Sequence, residues 1–123
     1  MTISTHNMLN NVDNAIFHYK DIALFQDSIL NKKLLQKETL DLIITSPPYN
    51  VGIEYNSNAD SNDYKEYLEF CKIWLKNCYF WAKNGARFCL NIPLDKNKGG
   101  QQSVGADLTQ IAKKVGWKYH STI

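Results

Sequence analysis

Asp41-Leu42-Ile43-Ile44-Thr45-Ser46-Pro47-Pro48-Tyr49-Asn50 joins a short apolar run to a double proline. The run Leu42 to Ile44 has the length and branching of a strand buried on both faces. A residue before proline is pushed out of the α region, so Ser46 and Pro47 should both be extended. The prolines fix φ and remove two backbone donors. The predicted product is a stiff ledge at a strand's C-terminal end, offering a hydroxyl, outward carbonyls and the Tyr49 ring. Open α/β sheets place their ligands at that end. On spacing alone, the same residues also describe a Pro-Pro turn with a partly buried tyrosine.

Upstream, Met1 to Asn14 is polar and rich in asparagine, a loose lead-in before a domain spanning 15–123. Ala15 to Tyr19 and Ile22 to Phe25 are β-prone runs around Lys20-Asp21, either a hairpin or one bent strand. Asp27 or Ser28 would cap a following helix, with Ile29, Leu30, Leu34 and Leu35 as its apolar stripe.

Downstream, Val51 to Asp60 has no period and should be a loop beside the ledge, of the kind that closes over substrate. Asp63 to Lys83 is predicted to be a long amphipathic helix. Its apolar positions are Tyr64, Tyr67, Leu68, Cys71, Trp74, Leu75, Cys78 and Ala82. Asp63 and Glu66 resemble a capping box, and Asn84-Gly85 a stop. Ala86 to Pro93 is a second buried strand, and Leu94 to Gln102 a polar loop with Lys96 and Lys98. Val104, Leu108, Ile111, Ala112 and Val115 set another helical stripe ended by Gly116, after which Trp117 to Ile123 begins a strand. Such alternation implies a mostly parallel sheet with helices on its faces.

The chain has 123 residues, 44% of them hydrophobic and 21% charged, which suits one small globular domain. No apolar run approaches the roughly 18 residues of a membrane span, and no leader is visible, which favours the cytoplasm. A net charge of +2 permits nucleic-acid binding without arguing for it. Cys71 and Cys78 share a helical stripe and suit a core, and Cys89 adds no CxxC spacing, so no metal site is expected.

Thr45-Ser46-Pro47-Pro48-Tyr49 resembles the (D/N/S)PP(Y/F/W) motif of the S-adenosylmethionine-dependent amino-methyltransferases of DNA, which modify adenine N6 or cytosine N4. The order of the surrounding segments resembles the β group of that family over about residues 14 to 123. The resemblance implies a partial Rossmann-like methyltransferase sheet, mostly parallel with flanking helices, forming the truncated N-terminal catalytic half of the enzyme. It implies catalytic roles for Ser46, Pro47, Pro48 and Tyr49, and cofactor contacts from Asp27, Ser28 and Thr45. Tyr49, Asn50, Lys96 and Lys98 would meet the DNA.

The implied function is site-specific methylation of double-stranded DNA in a restriction–modification system, with adenine N6 favoured over cytosine N4. The FxGxG motif that holds the methionine end of S-adenosylmethionine matches none of Gly52, Gly85, Gly99, Gly100, Gly105 and Gly116. The chain would then be a truncated product or a split-gene subunit, the latter with a C-terminal-half subunit carrying that motif as its partner. The alternatives are an inactive truncated remnant, or methylation of a protein glutamine, which uses a similar NPPY ledge.

Overall fold

A computed structural model describes residues 17–47, 60–95 and 102–123. Two strands, β1 (Phe17–Tyr19) and β2 (Ile22–Leu24), pair antiparallel as a hairpin. Lys20 takes a positive φ of 51° in its turn, so the hairpin alternative holds.

The helix predicted after Gln26 does not form; the segment makes a single 3-10 turn, Lys32–Leu34. The polar side chains compete with the helix for backbone donors. Asp27 Oδ1 accepts from Ser28 N, Ser28 Oγ from Leu30 N, and Asn31 Oδ1 from Lys33 N. Ile29, Leu34 and Leu35 still pack against the core. Asn77 Nδ2 and Trp81 Nε1 hold this segment by donating to the Ile29 and Lys32 carbonyls, each at 2.9 Å.

The centre of the molecule is a strand–helix–strand unit: β3 (Leu40–Thr45), α1 (Asp60–Trp81) and β4 (Ala82–Leu90). The strands pair in parallel, which requires a crossover connection, and the helix lies within it. The predicted parallel α/β arrangement is therefore present. One face of α1 buries Tyr64, Tyr67, Cys71, Trp74, Leu75, Cys78 and Trp81, the spacing of three and four that the sequence shows. The buried Cys71 and Cys78 are core residues, as predicted.

α1 starts at Asp60, so Asp63 already lies inside the helix and the capping-box reading fails. It also ends at Trp81, ahead of the predicted stop. Helix ends leave carbonyls without partners, and here Glu38 N and Thr39 N donate to the Phe80 and Trp81 carbonyls at 3.0 and 2.8 Å. Ala82 then pairs with Leu40 directly. Asn84-Gly85 becomes part of an irregularity within β4, where Gly85 adopts a φ of 84°.

Among the described residues, β3 is covered on one face only, whereas the sequence predicts cover on both. Leu40 and Ile43 pack on the core, but Leu42 is 53% and Ile44 72% exposed. An apolar run shows that a strand is bordered by apolar groups, not which chain segment supplies them.

The last helix, α2 (Val104–Val115), matches its predicted stripe. Ser103 Oγ caps it by accepting from Ala106 N, and Gly116 ends it with a φ of 132°. Val104 and Leu108 are buried, and Tyr64 Oη donates to Asp107 Oδ2 at 2.5 Å across to α1. Burial, reinforced by that bond, raises the phenol of Tyr64 well above its usual range. Trp117 to Ile123 is not a strand. Trp117 turns back instead, donating from Nε1 to the Leu75 carbonyl and stacking on Phe88 at 4.8 Å.

Candidate functional site

The parallel register brings the ends of β3 and β4 side by side. Thr45 is opposite Leu90, and Asn91 N donates to the Thr45 carbonyl at 2.9 Å, which carries the ladder one residue beyond β4. Ser46 and Asn91 are thus neighbours on the carboxyl edge of the sheet, both exposed. Asn91 Nδ2 lies 3.2 Å from Ser46 Oγ as its donor. Thr45 behind them is half-buried, and Pro47 beyond is buried. A hydroxyl is therefore presented to solvent between two anchored positions. Neither partner ionises near neutral pH, so the pair is a neutral acceptor site.

Thr45, Ser46 and Pro47 thus stand together. Pro48, Tyr49, Asn50, Lys96 and Lys98 lie outside the described residues, as do residues 51–59 of the predicted loop, whose last residue Asp60 belongs to α1. Asp27 and Ser28 sit on the segment after β2 and are exposed. Asp27 Oδ1 accepts from Ser28 N at 2.6 Å and Oδ2 from Asn31 Nδ2 at 3.1 Å. A carboxylate offers about four lone-pair positions, so acceptor capacity remains for a diol such as a ribose. Among the described residues, no hydrogen bond joins Asp27 or Ser28 to the Ser46 edge.

Asn91 escaped the sequence reading. Its signal was positional: it follows the apolar run Phe88-Cys89-Leu90 as Ser46 closely follows Leu42-Ile43-Ile44. Only a parallel register makes those two positions adjacent.

The unit defines a class: an α/β crossover with a polar neutral site at the carboxyl edge of its parallel strands. Within that class, the chain belongs to the DNA methylase family, whose model matches residues 40–123, from the first residue of β3 onward. It is 54% identical over 102 residues to the type II methyltransferase M.MjaVI of Methanocaldococcus jannaschii, a match covering 83% of this chain and 52% of that protein. It is 47% identical over 47 residues to M.HpaI of Haemophilus parainfluenzae, covering 38% of this chain and 15% of that one. To M.ScaI of Streptomyces caespitosus it is 31% identical over 77 residues, 62% of this chain and 24% of that one. The chain therefore spans about half the length of the first of these relatives and less of the others. No solved structure matches it.

Among the described residues, no helix is long and apolar enough to cross a membrane.

Proposed function

We propose that this chain is the catalytic half, over 15–123, of a site-specific DNA methyltransferase of a restriction–modification system in the cytoplasm. Its substrate would be an exocyclic amine in double-stranded DNA, with adenine N6 favoured over cytosine N4 by the extended resemblance. The observation that carries this reading is the exposed Ser46 hydroxyl at the end of β3, set directly before a buried Pro47, in a chain of the DNA methylase family.

The chemistry follows from the amine. Its lone pair is delocalised into the ring, so it attacks only after becoming more tetrahedral. Two acceptors that take hydrogen bonds from the amino hydrogens favour that change. Ser46 Oγ and the Pro47 carbonyl are suited to these roles: Pro47 is buried, its ring fixes φ, and its place before another proline restricts the ψ that aims the carbonyl. Tyr49 would stack on a base rotated out of the duplex, worth roughly 1–3 kcal/mol. Asn50 would meet the base edge, and Lys96 and Lys98 the phosphates.

S-adenosylmethionine, when bound, supplies a methyl group made electrophilic by its sulfonium sulfur. The amine would gain an N–C bond as the donor's C–S bond broke, and would then release a proton to water. Asp27, with Ser28 and Thr45, suits the adenosine end through its remaining acceptor capacity. No FxGxG segment for the methionine end lies within residues 1–123, so the cofactor site would be completed by sequence other than these residues. The exposed Leu42 and Ile44 favour the same reading, because they leave an apolar surface for the rest of such an enzyme to cover.

The test is methyl transfer from labelled S-adenosylmethionine to duplex DNA, by the chain alone and with a co-expressed polypeptide matching the rest of the relatives. Digestion to nucleosides distinguishes N6-methyladenine from N4-methylcytosine. Ser46→Ala should lower the rate on the order of 100-fold, as loss of one preorganised polar contact does elsewhere. Absence of transfer in both preparations, or transfer undiminished by Ser46→Ala, sinks the proposal.

A further inference from the structure

Ser46 has one proton and two lone pairs on Oγ. To accept a hydrogen bond from a target amine, it must direct a lone pair at the base and its own proton elsewhere. Among the described residues, Asn91 is the side chain hydrogen-bonded to that oxygen, 3.2 Å away. With Nδ2 facing Ser46, Asn91 donates, occupies one lone pair and leaves the serine proton free to point at the incoming amine. Rotating the carboxamide by a half-turn exchanges Nδ2 for Oδ1 with almost no change in shape. Asn91 then accepts the serine proton, both lone pairs are freed, and donation polarises Oγ into a stronger acceptor.

We propose that Asn91 is a positioning residue for the transfer reaction: with the base in place, its Oδ1 accepts a hydrogen bond from the Ser46 hydroxyl, which aims an Oγ lone pair at the target amine. This rests on the reading of Ser46 as an acceptor. The backbone supports the arrangement independently of the side chain. Asn91 N donates to the Thr45 carbonyl at 2.9 Å, and any substitution at position 91 other than proline keeps that bond. The strand edge should therefore survive while the carboxamide contact is removed.

Three variants separate the possibilities under single-turnover conditions at saturating DNA and cofactor. Asn91→Leu removes both donor and acceptor and should slow transfer roughly 10-fold, the usual size of one net hydrogen bond. Asn91→Asp can only accept near neutral pH, and should stay within about 3-fold of the unsubstituted chain by the same measure. In a Ser46→Ala background, Asn91→Leu should have no further effect, because the contact is already absent. A measurement independent of turnover is the NMR signal of the Asn91 carboxamide, which should shift in Ser46→Ala.

If Asn91→Asp is as slow as Asn91→Leu, donation rather than acceptance matters and the proposal is overturned. Additive losses, or a carboxamide signal indifferent to Ser46→Ala, overturn it as well. A deficit in Ser46→Ala with none in Asn91→Leu overturns this inference alone. Full activity in Ser46→Ala removes the reading of Ser46 and this inference with it.

Discussion

Ile43 and Ile44 are adjacent in β3 yet face opposite sides of the sheet, so replacing each with threonine tests which side is covered. Threonine keeps the β-branch, and strand propensity changes little. Ile43 packs against the α1 core. Its replacement loses about one methylene, ~0.8 kcal/mol, and sets a hydroxyl in a partly apolar site, at the low end of about 1–3 kcal/mol. A loss of about 1–2 kcal/mol follows, lowering Tm by roughly 4–8 °C in a domain of this size. Ile44 is 72% exposed, and its replacement should stay within about 0.5 kcal/mol.

Urea unfolding at constant m value, together with thermal melts, compares the two variants in the chain alone. Ile44→Thr should become comparably costly if a further polypeptide covers the sheet. Burying an isoleucine contributes about 1.5–3 kcal/mol, and most of the Ile44 surface is still available to contribute. Covering it would supply about 1–2 kcal/mol, so Ile44→Thr should weaken the complex roughly 5- to 30-fold by calorimetry. Equal destabilisation of the isolated chain by the two substitutions would refute the reasoning, because it would mean that Ile44 is already buried.

Gly116→Ala should cost about 1–3 kcal/mol in chemical denaturation, from a φ of 132° that side chains rarely adopt. Its Cβ would also lie 2.6 Å from Tyr79 Cζ; Tyr79→Ala should relieve this steric part and leave the backbone part. Burial pushes the Cys71 thiol up to about 11 and Cys78 up to about 12. Native-state alkylation should therefore label Cys89, which is exposed, before either of them. The raised thiols keep their protons in the folded chain while the unfolded chain loses its own above pH ~9. Stability should consequently fall as pH rises from there through the folded values, and a pH-independent unfolding midpoint over that range would contradict the assignment.

The two long helices were legible because their stripes are long and their buried positions recur at three and four residues. The segment from Asp27 to Lys37 misled because its apolar spacing is helical while Asp27, Ser28 and Asn31 satisfy backbone donors locally. Periodicity ranks faces of an element; it does not weigh a side chain's competing bond to its own turn. The same limit explains β3, where Leu42 and Ile44 carry the apolar character of a covered face without a cover in the described chain. Ser46 and Pro47 were readable as a motif, whereas the closeness of Asn91 depends on how two distant strands align.

That alignment is itself set by an irregularity. Continued without interruption from the Leu40–Ala82 pair, the ladder would place Phe88 beside Ser46. Instead Lys83 to Ala86 stand opposite the single residue Asp41, and pairing resumes at Leu42–Arg87. Gly85 makes the extra length possible by turning at a φ of 84°, and Lys83 Nζ lies 3.3 Å from Asp41 Oδ1 across the same place. The surface pair contributes little, as exposed ion pairs do. The glycine matters more, because the displaced register delivers an amide rather than a phenyl ring to the serine. It also turns Phe88 to the core, where it meets Trp74 and Trp117. A bulge near the helix end thus decides both what the core contains and which side chain faces Ser46 at the opposite end of the strand.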